Sequence, residues 1–180
     1  LGKSLSNIEL VDEDRVVTLK EVLDNSTTAL FVQGTTDGET LLGGGGDDTL
    51  MGNGGADTFL AGAGSDHLYG GASGDVFVFN HGDGNDEIVD AGGADRVQFG
   101  DGLDLSDLQI SNVEGSRDLL ITFSTGDSLV IRDGQTGLIE SFEFSDGSAY
   151  SYDQLRRAVG TPGGLNLLGT DGADILAGGP

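Results

Sequence analysis

Gly34-Thr-Thr-Asp-Gly-Glu-Thr-Leu-Leu42 is followed by Gly43-Gly-Gly-Gly-Asp-Asp-Thr-Leu-Met51, Gly52-Asn-Gly-Gly-Ala-Asp-Thr-Phe-Leu60, Ala61-Gly-Ala-Gly-Ser-Asp-His-Leu-Tyr69 and Gly70-Gly-Ala-Ser-Gly-Asp-Val-Phe-Val78. After a two-residue insertion, Phe79-Asn80, the register resumes with His81-Gly-Asp-Gly-Asn-Asp-Glu-Ile-Val89 and Asp90-Ala-Gly-Gly-Ala-Asp-Arg-Val-Gln98. Written in nines, the sixth column is Glu39, Asp48, Asp57, Asp66, Asp75, Asp86 and Asp95, and the eighth is Leu41, Leu50, Phe59, Leu68, Phe77, Ile88 and Val97. One column is wholly acidic and the other wholly apolar. A flexible Gly-rich linker has no reason to hold an apolar residue two places after every acid.

Positions 1 to 5 are rich in glycine, which tolerates crowded and left-handed backbone. Positions 7 to 9 read as a three-residue strand with its middle residue inward. A strand that short cannot bury its apolar residue alone, but a stack of such units can, and that is a solenoid. Strand, turn, strand, turn gives two parallel sheets with the eighth-column residues meeting between them. The acids then fall one above another in the turns, where they repel each other unless compensated. Carboxylates beside turn carbonyls suit a hard cation with six to eight oxygen ligands, which is calcium.

The nines match the pattern G-G-x-G-x-D-x-U-x, and the stretch resembles the calcium-binding parallel β-roll of the RTX family. The resemblance implies an all-β fold: a right-handed parallel β-roll with an antiparallel β cap and a short C-terminal helix. It implies ions held between one turn and the turn two repeats on. The acid pairs are then Glu39 with Asp57, Asp48 with Asp66, Asp57 with Asp75, Asp66 with Asp86, and Asp75 with Asp95, for about five calcium ions. The implied carbonyl ligands come from Gly34 and Thr36 in the first turn, and from Gly43 and Gly45 in the second. The third turn offers Gly52, Asn53, Gly54 and Gly55, and the fourth Ala61, Gly62, Ala63 and Gly64. The fifth offers Gly70, Gly71, Ala72 and Ser73, the sixth Gly82 and Gly84, and the seventh Ala91 and Gly93. The first repeat departs from the pattern: Thr35 and Asp37 replace glycine, and Glu39 replaces aspartate.

Composition agrees with a metal-dependent fold. The 180 residues include 33 glycines, and 31 acids stand against 8 Lys plus Arg, for a net charge of −23 with 36% hydrophobic residues. Such a chain lies near the disordered regime unless its charge is neutralised. Five calcium ions would bring about ten positive charges, so folding is expected to be coupled to metal. The acidity argues against nucleic acid and anionic membrane partners. No apolar run of membrane-spanning length exists. The absence of cysteine removes disulfides and thiol chemistry. Leu1-Gly2-Lys3 shows neither an initiator Met nor a signal peptide, as expected of an excised piece of a longer protein.

Four segments are expected. Residues 1–33 form an N-terminal capping segment, 34–98 the roll, 99–160 the cap, and 161–180 a linker and the start of a second repeat block. In the first, Asn7 to Val11 reads as a strand, Leu19 to Leu23 as a short helix with Thr18 and Glu21 at capping-box spacing, and Ala29 to Gln33 as a strand entering the first repeat. In the cap, residues 103–110 read as a helical turn and then a strand. A meander is expected from Asp118–Phe123, Ser128–Arg132 and Ile139–Phe144, the last with Ile139, Phe142 and Phe144 inward after one slip. Ser151 and Gln154 would cap a helix running to Val159. Asp101 or Asp104 is expected to complete a last site opposite Asp86. At the C-terminus, Pro162-Gly-Gly is a linker, and Gly169 to Ala177 is another nonapeptide with Asp174 sixth and Leu176 eighth.

The stretch Asp83–Val159 also resembles the domain that follows RTX blocks in large secreted bacterial proteins. The likeness rests on Gly-Asp-Gly-Asn-Asp-Glu-Ile, Phe-Gly-Asp-Gly, Gly-Asp-Ser-Leu-Val-Ile-Arg-Asp and Ile-Glu-Ser-Phe-Glu-Phe-Ser-Asp-Gly. It implies a secreted, extracellular or cell-surface setting, export by a type I secretion system, and neighbouring modules of the same chain as partners.

An enzyme reading finds little support. There is no H-E-x-x-H helix, no G-x-S-x-G elbow and no phosphate-binding glycine loop before a helix. His67 reads as surface decoration of a short strand, and Asp127, Asp133 and Asp146 as turn formers. The four arginines Arg117, Arg132, Arg156 and Arg157 read as salt-bridge or solvated groups of the cap. The expectation is a non-catalytic calcium module, with the accessory part of a secreted peptidase, lipase or alginate epimerase as the alternative. An adhesion surface on the cap is a third reading, though no residues converge there.

Overall fold

A computed structural model describes residues 26–159, together with the backbone of two short strands, β1 (Leu10–Asp12) and β2 (Arg15–Val17), which pair antiparallel. The expected helix at 19–23 and the nonapeptide at 169–177 lie outside the described residues, as does most of the strand expected at 7–11.

The repeats form a parallel β-solenoid, as the two columns predict. Strands β3 (Phe31–Gln33), β5 (Thr49–Asn53), β7 (His67–Gly71) and β9 (Asn85–Val89) stack in parallel in one sheet. Strands β4 (Thr40–Gly44), β6 (Thr58–Gly62), β8 (Val76–Phe79) and β10 (Asp95–Phe99) stack in the other. Equivalent columns stack in register within each sheet, as in Leu50 beside Leu68 and Phe59 beside Phe77.

Most of these strands are longer than the expected three residues. Strands β4 to β7 run on into the first two positions of the next repeat, so three residues alternate inward: the sixth-column acid, the eighth-column apolar residue and the first residue of the next nine. Asp57, Phe59 and Ala61 show this, at 1%, 0% and 2% exposure. The first position must be small because of what crosses it. A Cβ on Gly52 would lie 3.0 Å from the Phe59 ring.

The Phe79-Asn80 insertion breaks that rule for a reason. Phe79 takes the inward slot that glycine or alanine holds in the preceding coils and stacks on Phe123, with ring centroids 5.0 Å apart. Phe99 takes the same slot in β10 and also meets Phe123, along with Phe142 and Phe144.

Beyond the repeats, a 3₁₀ turn at Leu105–Asp107 leads into β11 (Leu108–Asn112), which pairs antiparallel with β12 (Leu119–Phe123). Strand β12 pairs antiparallel with β13 (Ser128–Ile131). The three-strand meander therefore begins earlier than expected and does not include Ile139–Phe144. Instead β13 joins β9 in parallel, and β14 (Ile139–Glu143) joins β10 in parallel in the opposite sheet. The coil thus continues through β13 and β14, with β11 and β12 as an excursion. The expected slip in β14 is a register shift opposite Asp95, at Glu140. A short β15 (Ala149–Tyr150) and helix α1 (Tyr152–Val159) close the described chain. Ser151 N–H donates to Gln154 Oε1 at 2.8 Å, and Leu155 is fully buried.

Candidate metal centre

The sixth-column acids are turned inward by strand alternation and fall at the edges of the roll, where each strand begins. There they form two ladders. On the β3 side, the Leu30 N–H donates to Asp48 Oδ1 at 2.7 Å, Asp48 N–H to Asp66 Oδ1 at 2.7 Å and Asp66 N–H to Asp86 Oδ1 at 3.0 Å. On the β4 side, Glu39 N–H donates to Asp57 Oδ1 at 2.8 Å, Asp57 N–H to Asp75 Oδ1 at 2.8 Å and Asp75 N–H to Asp95 Oδ1 at 2.7 Å. Asp95 N–H continues the ladder to Glu140 Oε2 at 2.7 Å. The structure thus stacks the two acids of every expected pair.

One oxygen of each aspartate is satisfied in this way; the other is the chemically telling one. Oδ2 of Asp48, Asp57, Asp66, Asp75 and Asp95 is buried without a hydrogen-bond partner. A buried, unsatisfied carboxylate oxygen costs several kcal/mol. Burial, and then the neighbouring acids of the ladder, push these carboxyls up: Asp48 and Asp57 rise, Asp66 and Asp75 reach about 6, Asp95 about 7 and Asp86 about 8. Among the described residues no basic side chain pairs with a ladder aspartate.

The free oxygens face other oxygens across a gap the size of a methyl group. A Cβ on Gly43 would lie 2.5 Å from Asp48 Oδ2 and 2.3 Å from the Ala61 carbonyl. On Gly52 it would lie 2.3 Å from Asp57 Oδ2 and 2.7 Å from the Gly70 carbonyl. The first-position glycines therefore keep open a space lined by a carboxylate and a carbonyl, a donor set of hard oxygens that fits calcium.

The other expected carbonyls divide. Those of Gly34, Gly64, Gly71 and Gly84 hold turns and strands together, accepting from Asn53 Nδ2 and from the N–H groups of Asn85, Ala91 and Ser128. The Ser73 carbonyl approaches Gly93 beside Asp95. Those of Thr36, Gly45, Asn53, Gly54, Gly55, Gly62, Ala63, Ala72, Gly82, Ala91 and Gly93 stand in the same turns. Glu39 differs from the aspartates. Its carboxylate folds back on its own turn, accepting from Thr35 N–H at 2.8 Å and from the Thr35 hydroxyl.

Two expectations need correction. Asp101 and Asp104 are exposed, and the Asp104 N–H donates to Asp107 Oδ2 at the 3₁₀ turn, so neither stands opposite Asp86. Asp83 and Asp127 both lie near Asp86, and Asp127 does more than form a turn. It reaches across to the sixth turn, accepting from Gly82 N–H at 3.1 Å and from the Thr125 hydroxyl at 2.6 Å, with His81 Nδ1 at 3.2 Å. A third residue was missed altogether. Asp90, at a first position, brings its carboxylate to Asp75 and Asp95, all three offering oxygens within 4.8 Å of one another. Its signal in the sequence was an acid at a first position, where the five repeats before the insertion have glycine or alanine.

The stretch that stacks these carboxylates and opens these gaps is the one that matches a known repeat family. Residues 33–68 and 51–79 match the family model described as the RTX calcium-binding nonapeptide repeat (4 copies). Among solved structures, the chain is similar to the AlgE6R3 subunit of the mannuronan C5-epimerase of Azotobacter vinelandii, with a TM-score of 0.54 and 24% identity over 83% of this chain and 91% of that one. That likeness is one of fold. No curated protein matches the chain.

Proposed function

We propose that the chain is a non-catalytic calcium module of a secreted or cell-surface bacterial protein, exported unfolded by a type I system and folded by calcium on arrival. The observation that carries this reading is the row of buried aspartates whose Oδ1 is held by an N–H of the preceding coil while Oδ2 of Asp48, Asp57, Asp66, Asp75 and Asp95 is buried and free, beside a carbonyl at Asp48 and Asp57. About five ions, one for each stacked acid pair, would satisfy them. Where calcium is scarce the ladders repel themselves and the chain stays open. At extracellular calcium of about a millimolar the free oxygens gain a partner and the sheets close. Circular dichroism tests this directly: mostly disorder in EGTA, and a β signal restored by millimolar calcium. Magnesium should rescue poorly, because it demands a tighter octahedral shell. A spectrum indifferent to calcium, or an equal rescue by magnesium, would sink the reading.

A second reading, an accessory module beside a secreted enzyme, is favoured by the fold likeness to the epimerase subunit. A catalytic domain upstream of Leu1 would decide for it; further repeats or adhesin-like modules would decide against it.

A further inference from the structure

Along the β4 edge, the first-position residues Gly34, Gly52, Gly70 and Asp90 stack. The space beside each glycine is lined by its own repeat's acid and by one atom from the next coil. Beside Gly34 these are Glu39 Oε2 and the Gly52 carbonyl; beside Gly52 they are Asp57 Oδ2 and the Gly70 carbonyl. Beside Gly70 they are Asp75 Oδ2 and, in the place of the carbonyl, Asp90 Oδ1 at 2.3 Å from the Cβ position. A neutral ligand has been exchanged for a charged one at the same point of the coil.

Independent features show that the extra carboxylate is aimed into the gap. Asp90 Oδ2 accepts from Gly92 N–H at 2.7 Å, which fixes the side chain with Oδ1 directed inward. That Oδ1 is buried and unpartnered, as are Oδ2 of Asp75 and Oδ2 of Asp95, whose residues are 0% and 1% exposed. Among the described residues, no lysine, arginine or histidine forms an ion pair with any of the three. The compensating charge has to come from solution. Oxygen-ligand sites for calcium tighten as ligand charge rises and as the site is better fixed.

We propose that Asp90, which lies outside the repeating acid column, is a cation ligand and makes the Asp75–Asp95 gap the tightest calcium site of the roll, the first to fill and the last to empty. The site sits where the roll meets its continuation, since Asp95 N–H is held by Glu140 of β14. The first ion bound would therefore lie at the junction of β10 with β14. The proposal rests on the calcium-module reading and adds an order to it.

Calorimetric titration of the full chain with calcium, against a competing chelator, tests it. The native chain should show one site tighter than the rest. Asp90→Asn keeps the shape and the acceptor for Gly92, and should weaken that site by roughly ten- to a hundredfold while leaving the other sites and the total number of ions unchanged. Asp90→Gly restores the residue that three equivalent turns already accept, and should do the same. Circular dichroism at saturating calcium should show both variants folded. A native isotherm with uniform sites overturns the proposal, and so does a variant isotherm that matches the native one, which would mean the three carboxyls merely share a proton. A native chain that takes up no calcium removes the module reading and this inference together; calcium uptake unchanged by either variant removes this inference alone.

Discussion

Five ladder aspartates use their two oxygens differently: Oδ1 holds the turn before it, while Oδ2 is buried and unpartnered, and under the proposed function it takes the cation. Asp57→Ala therefore removes both a ladder bond and a free oxygen, while Glu39→Ala removes a carboxylate already engaged by Thr35. Calorimetry should show at least about a tenfold loss of calcium affinity for the first and a smaller loss for the second; the opposite ranking would mean the acids are paired differently. The first-position glycines give a sharper test. Gly43→Ala introduces no left-handed strain but places a methyl 2.3 Å from the Ala61 carbonyl and 2.5 Å from Asp48 Oδ2, so one calcium should be lost or bound about tenfold more weakly. Gly54→Ala, whose Cβ would meet only Thr36 Cα at 3.9 Å, should titrate like the native chain. At this scale the acid column was readable because one residue type recurs at one phase. Asp90 was not, because it acts from a phase where the pattern expects glycine, and only the coil-to-coil stacking reveals what it replaces. The bond from Thr35 to Glu39 was equally hidden, since it depends on how one side chain folds back.

Between elements, the roll and the residues after it share one core. Phe123 of β12 lies between Phe79 of β8 and Phe99 of β10 and is 5% exposed. Phe123→Ala should cost about 3–5 kcal/mol, the usual toll for a large aromatic in a packed core. Thermal melts in calcium should show the β signal of the whole chain falling in one shifted transition; two separate transitions would mean that cap and roll fold independently. Arg132 adds a polar tie, donating to both Glu87 oxygens at 2.7 and 3.0 Å and to Asp118 Oδ2 at 2.7 Å. The strands themselves were legible, including the slip in Ile139–Phe144, because alternation marks them locally. Their partners were not. Nothing local distinguishes a strand that turns back on its neighbour from one that crosses to lie beside β10, and Asp133 marks a turn in either case. In the structure Asp133 adopts a left-handed conformation and Gly134 opens a 3₁₀ turn that carries the chain to the other sheet.

For the whole molecule, pH should act with opposite signs in the two metal states. Without calcium, Asp66 and Asp75 at about 6, Asp95 at about 7 and Asp86 at about 8 lie above the unfolded value of about 3.9. The folded form then binds more protons than the unfolded form, so its stability falls as pH rises through about 4 to 8. In EGTA, circular dichroism should show more β structure at pH 5 than at pH 8. With calcium bound, the same carboxylates must be ionised, and protons compete with the ion. Calcium affinity measured by titration should therefore fall between pH 8 and pH 5. Slopes of the same sign in both states would mean that the buried carboxylates are not the ligands. A need for counter-charge was foreseeable from a net charge of −23 on a glycine-rich chain. The position of each carboxylate's free oxygen was not, because it depends on how successive coils sit on one another.

The alternation of successive nines between two sheets makes the roll sensitive to parity. Removing eighteen residues, from Gly52 to Tyr69, would leave every later strand in its own sheet and shorten the stack by one layer of about 4.8 Å. Removing nine would carry β7 and all that follows, Phe79 and Phe123 together, to the sheet opposite the one they now share with β3 and β5 or β4 and β6. Only an even number of nines added or removed there keeps the first strands and the later coils on the sides they now hold.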